Sequence, residues 1–206
     1  MDSVAAAFGA NRPKPIDFYV AHSPESMFRL LGIDVLPNHT PGLAYTAHRL
    51  ILSGADIYGE WYPHELAHMA TDSLTRSWRT PFALEEGLAM WLGGSRGRDF
   101  PALMLDLAGA LRAKPFITLD TLLGSPVATD TLAYPAAAAL LQMAYERGQM
   151  SQVRALLSAR LAGEAPDTIL EMAERTFRQP RKQLTALWRS KVLQYQNPGP
   201  APRKNG

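Results

Sequence analysis

The stretch WYPHELAHMA, Trp61 to Ala70, places two histidines four residues apart, with a glutamate directly after the first. On a helix, positions i and i+4 lie on one face, about 40° apart around the axis. The imidazoles of His64 and His68 can therefore address one ion. Glu65 sits about 100° round from His64, badly placed to share that ion and well placed to reach a water beside it. Two ligands and one general base is the division of labour that metal-assisted hydrolysis of an amide requires. A catalytic zinc takes a third protein ligand and keeps a fourth position open. LEEGLAMW, Leu84 to Trp91, supplies a carboxylate pair, and either Glu85 or Glu86 can fill the third place. Gly87 and Ala89 predict a close approach of this segment to the HELAH helix. His22, His39 and His48 fall in or beside loops and strands and read as non-ligands. Trp61, Trp78, Trp91 and Trp188 read as core or interface packing.

Such residues need elements to hold them. KPIDFYVAHSPESMFRLLGI reads as a strand and then a helix: Ile16, Phe18 and Val20 alternate as in a half-buried strand, and Ser23 before Pro24 is an N-cap signal. LAYTAHRLILSG reads as strand, closing at Ser53-Gly54. From Tyr58 the period turns helical. Helices are expected over about Glu60–Asp72, Pro81–Leu92, Pro101–Ala113, Tyr134–Arg147, Ser151–Ala162, Ala165–Thr176 and Pro180–Gln194. Thr80 is read as an N-cap before Pro81, and GGSRG after Leu92 as a helix stop and a flexible connection. The fold class is α+β, mainly α. One domain is expected over residues 1–196, with an N-terminal α+β part of about 14–95 and a helical part of about 96–196. Residues 197–206, rich in Pro and Gly, read as a disordered tail.

Composition narrows the function. The chain has 206 residues, 47% of them hydrophobic, enough to bury a core. A formal net charge of +2 argues for no nucleic-acid partner. The densest basic cluster, Arg178, Arg181 and Lys182, reads as a solvated helix start. With no cysteine, disulfides, cysteine-ligated zinc and a cysteine nucleophile are excluded. No Gly-x-Ser-x-Gly elbow is visible. No stretch approaches the roughly 18 apolar residues of a membrane span. MDSVAAAFGA lacks the basic region of a signal peptide. Lack of cysteine leaves the compartment open. An extracytoplasmic location, with a signal or anchor outside this chain, is favoured over a cytoplasmic one.

HELAH followed by EEGLAMW resembles the gluzincin branch of zinc metallopeptidases, to which thermolysin and the zinc aminopeptidases belong. Within it the chain is most similar to the compact bacterial peptidase-MA-like domains. Their succession of strand, HExxH helix, EGLA helix, tyrosine-led helix and Trp-containing terminal helix is matched by HRLILSG, HELAH, TPFALEEGLAMW, AYPAAAALLQMAYERG and LTALWRSKV. The resemblance covers roughly Ile16 to Val192. It implies a zincin-like fold and one zinc per chain, held by His64, His68 and Glu86, with Glu65 as general base. Glu86 is chosen over Glu85 because the family's ligand directly precedes the small residue. The resemblance also implies that Tyr134 stabilises an oxyanion, and that the strand around Arg49–Ser53 offers its edge to an extended substrate. There are departures. Thermolysin carries an aspartate one turn after its glutamate ligand, where this chain has Met90. The Gly-x-Met-Glu-Asn segment of aminopeptidases has no counterpart, and PGLAY lacks the acidic residue. The expected activity is therefore hydrolysis of peptides or proteins, as an endopeptidase rather than an aminopeptidase. Two alternatives are a catalytically silent zinc-binding or protein-interaction domain, and a zinc hydrolase acting on a non-peptide amide. The oligomeric state is not legible.

Overall fold

The computed structural model describes residues 15–23, 26, 29, 32, 42–46, 50–54, 63–78, 80–124, 132–158 and 168–196. Among these, three strands precede seven helices: β1 (Asp17–Ala21), β2 (Gly42–Tyr45), β3 (Leu50–Gly54), α1 (Pro63–Trp78), α2 (Phe82–Gly93), α3 (Phe100–Ala113), α4 (Leu119–Leu123), α5 (Ala133–Leu157), α6 (Ile169–Phe177) and α7 (Arg181–Leu193). The protein is mainly helical, with a small three-stranded sheet. The tail 197–206 lies outside the described residues.

The sheet order is β1-β3-β2, with β1 parallel and β2 antiparallel to β3. Two expectations change here. LAYTAHRLILSG is not one strand but two, folded back so that Tyr45 opposes Leu50 and Gly42 opposes Ser53. That puts β3 in the centre with both sides paired, so it has no edge to offer a substrate. Among the described residues the edge strand next to α1 is β2, which packs against that helix. β1 forms where its alternation predicts, but Phe18 and Val20 are exposed as well as Tyr19. It lies at the other edge, and among the described residues β3 is its main neighbour, with no second layer for the alternation to bury against. Ser23 does cap: its hydroxyl oxygen accepts the Ser26 N–H at 3.2 Å. Pro24 lies outside the described residues.

α1 begins at Pro63, where a proline's fixed φ and missing N–H cost nothing. It runs on past Asp72 to Trp78, because no breaker intervenes before Thr80-Pro81. Thr80 does not cap α2. Pro81 occupies the N-cap position, and the Thr80 hydroxyl donates to the Leu157 carbonyl at 3.0 Å, tying the start of α2 to the end of α5. A short helix, Leu119–Leu123, was absent from the sequence reading; its signal is a capping box between Thr118 and Thr121. α5 holds the two helices expected around residue 149: Gly148 and Gln149 (φ 53, ψ −151) leave helical geometry and kink it. It ends at Leu157, before the expected Ala162. Pro135 falls in its first turn, behind Tyr134. Arg181 is not merely solvated: its guanidinium meets Glu174 at 3.1 Å and Asp120 at 3.6 Å, joining α7 to α6 and α4.

Small residues set the spacing of α2 and α5. A Cβ at Gly87 would lie 2.8 Å from the Ala137 Cβ and 2.8 Å from the Ala138 nitrogen. Gly87 therefore serves the contact with α5, not the expected contact with the HELAH helix. The main core runs from Ala83 to Val192, with Trp188 fully buried and its indole N–H donating to the Ala136 carbonyl at 3.1 Å. Trp91 packs half-buried against that core. Trp61 and the Trp78 side chain lie outside the described residues. No helix among the described residues is long and apolar enough to cross a membrane.

Candidate metal centre

α1 carries His64 and Glu65 in its first turn and His68 one turn on, while Glu86 comes from the middle of α2. Their polar atoms converge. His64 Nε2 is 3.3 Å from one Glu86 carboxylate oxygen, His68 Nε2 is 3.3 Å from the other, and the two Nε2 atoms are 3.2 Å apart. Donors each about 2.0–2.1 Å from a tetrahedral ion stand roughly 3.3–3.4 Å from one another. The three groups thus have the separations of ligands on one ion, and among the described residues they form the one such group.

The tautomer of His64 is set. Its Nδ1–H donates to the Gly94 carbonyl at 2.8 Å, which turns Nε2 towards His68 and Glu86. The partner that fixes the ring is thus a main-chain oxygen. The contact depends on how tightly the end of α2 presses on the start of α1. A Cβ at Gly93 would lie 2.5 Å from the Pro63 carbonyl carbon and oxygen and from the His64 nitrogen. Gly94 then turns with φ 72, and a Cβ there would strike the Arg98 oxygen. GGSRG is accordingly not a flexible connection. Ser95 and Arg98 exchange two backbone hydrogen bonds, at 2.9 and 3.0 Å, across a turn in which Arg96 (φ 53) and Gly97 (φ 69) are both left-handed. Nothing in the sequence marks the Gly94 carbonyl as a partner; the paired glycines are its only trace.

Electrostatics divides the carboxylates. Burial alone would raise the Glu86 carboxyl, but hydrogen bonds with His64 and His68, and their charge, hold it down at about 2. Burial alone would lower His68, but its hydrogen bond to Glu86 and the negative charges of Glu86, Glu65 and Glu85 raise it. Glu65 is 7% exposed and outside the triad. Burial pushes its carboxyl above the ordinary range, against the pull of His64 and His68 and of a hydrogen bond from the Ala44 N–H. That N–H belongs to β2, so the strand next to α1 holds the Glu65 side chain. Glu85 stays out of the triad and hydrogen-bonds Thr75 on α1 instead; burial raises its carboxyl most, with Asp72 and Glu86 adding to the rise.

Tyr134, second residue of α5, is half-buried and meets Phe82 edge-on, with centroids 5.9 Å apart at 86°. Its phenol is raised by burial and then by the charge of Glu86, which places it within electrostatic reach of the triad. His22 is exposed and outside the triad; His39 and His48 lie outside the described residues. Compared with protein families, with curated proteins and with solved structures, the chain matches none.

Proposed function

We propose that this chain is a zinc-dependent peptidase of the gluzincin type, with a zincin-like arrangement of sheet edge, α1 and α2, acting as an endopeptidase. The observation that carries this reading is the convergence of His64, His68 and Glu86 at ligand spacing with a fourth group, Glu65, buried beside them but outside the triad. A purely structural zinc site has no use for Glu65, and burying an unused carboxylate is costly.

The donor set of two imidazoles and one carboxylate suits zinc with an open position. Bound there, zinc would supply Lewis acidity, polarising a carbonyl and acidifying water. The other steps fall to this chain. Glu65 takes the proton of the attacking water and returns it to the leaving amine. The Tyr134 hydroxyl donates to the oxyanion as charge develops. β2, the edge strand beside α1 among the described residues, would pair with an extended peptide through backbone groups other than the Ala44 N–H that holds Glu65, in place of the paired strand β3.

The test pairs composition with activity. The purified protein should carry about one zinc per chain, and His64→Ala with His68→Ala should abolish it. Glu65→Gln should retain the zinc and lose cleavage of an unfolded protein substrate, because an amide cannot take the proton. Equal zinc in the wild type and the double variant, or full cleavage by Glu65→Gln, would refute the proposal.

A further inference from the structure

Phe82 is 62% exposed, although it opens a helix whose next two residues, Ala83 and Leu84, enter the core. It precedes Glu86 by four residues, so the two share one face of α2 and lie about 6 Å apart along its axis. Its ring stands edge-on to Tyr134, itself within electrostatic reach of Glu86. A large apolar ring is thus displayed about one helical turn from a polar centre. The rest of the apolar surface of α2 is mostly buried, so this exposure is not a general property of the helix.

Resting on the metal reading above, we propose that Phe82, braced by Tyr134, is the recognition surface for one large apolar side chain of a peptide lying across the His64–His68–Glu86 centre. An aromatic or leucyl side chain laid on the ring removes apolar surface from water on both partners. An aspartate there would give up hydration for nothing. Phe82 therefore ranks substrates by one side chain, while Glu65 and the triad act on the bond.

The test uses probes that anchor on the metal whatever the natural substrate: acetohydroxamate, and the hydroxamates of N-blocked alanine and phenylalanine. Their binding to the zinc-loaded protein is measured by calorimetry, without reference to catalysis. In the wild type the phenylalanine compound should bind roughly five- to tenfold tighter than the alanine compound, the scale of one aromatic contact. Phe82→Ala should bring that ratio close to one. Phe116→Ala, which removes another exposed ring (75% exposed) from the α3–α4 connection, should leave it unchanged. A ratio near one in the wild type, or the same ratio in Phe82→Ala, overturns the inference and leaves the metal reading standing if acetohydroxamate binds. A protein that takes up no zinc, or whose zinc form binds no hydroxamate, overturns both.

Discussion

Gly93→Ala adds one methyl group at the junction that orients His64. The new Cβ would sit 2.5 Å from the Pro63 carbonyl carbon and oxygen and from the His64 nitrogen. Ordinary contact begins at about 3.5 Å, so the end of α2 and the start of α1 must part by roughly 1 Å. All three obstructing atoms are backbone, and no rotamer change relieves them. The same movement stretches the 2.8 Å bond from His64 to Gly94 beyond about 3.5 Å, where it is no longer a hydrogen bond. Overpacking of this kind costs about 1–3 kcal/mol, and loss of the bond adds about 1 kcal/mol. Better helix propensity returns up to about 1 kcal/mol. The net loss is about 1–3 kcal/mol, which for a chain of this length lowers Tm by roughly 2–12 °C. Zinc affinity should fall about 10- to 100-fold, the usual effect of removing an orienting partner. Gly109→Ala is the control: a Cβ there meets nothing within 4 Å, and the exchange should raise Tm by a few degrees, about 0.5–1 kcal/mol. Thermal unfolding and calorimetric zinc titration of both variants decide the matter. If Gly93→Ala melts with the wild type and binds zinc within twofold of it, the junction does not hold His64.

The neighbouring carboxylates should separate cleanly: Glu86→Ala loses zinc in elemental analysis, whereas Glu85→Ala, which gives up the partner of Thr75, keeps it. Tyr134→Phe should lower kcat on the order of a hundredfold with KM and zinc content little changed, since an oxyanion donor acts in the transition state; an unchanged kcat would return Tyr134 to a packing role beside Phe82. Trp188→Ala should cost about 3–5 kcal/mol and lower Tm by roughly 6–20 °C, because it empties a fully buried site and removes the indole hydrogen bond to Ala136; a drop below about 3 °C would mean that the core collapses around the gap.

The parts of the site that repeat with a helical period were legible in advance. His64 and His68 share a face because they are four apart, and the EEGLAMW helix came out within a residue or two of its expected bounds. What escaped reading is what depends on contact between segments far apart in the chain. Whether β3 is central or at an edge turns on its pairing with β1, some thirty residues away, which leaves no local mark. Glycine looks the same in a sequence whether it ends a helix, admits a neighbour or turns the chain. Gly87 and Gly93 admit neighbours, Gly94 turns the chain, and their partners on α5, α1 and the Arg98 turn had to be seen. Thr80 has the residue type of an N-cap, but its hydroxyl finds the Leu157 carbonyl 77 positions on.

Holding a histidine by a main-chain oxygen has an evolutionary side. Where a carboxylate does the orienting, one base change in the gene can delete it. The Gly94 carbonyl is present whatever residue occupies the position, so no single replacement removes the acceptor itself. Drift can reach it only through shape, by putting bulk where Gly93 and Gly94 leave room. Within this lineage the two glycines should therefore resist change more strongly than their plain chemistry suggests, while the side chains around them are free to vary. A scan by alanine, the customary way to find such partners, would register the orienter only as a steric effect at Gly93 or Gly94.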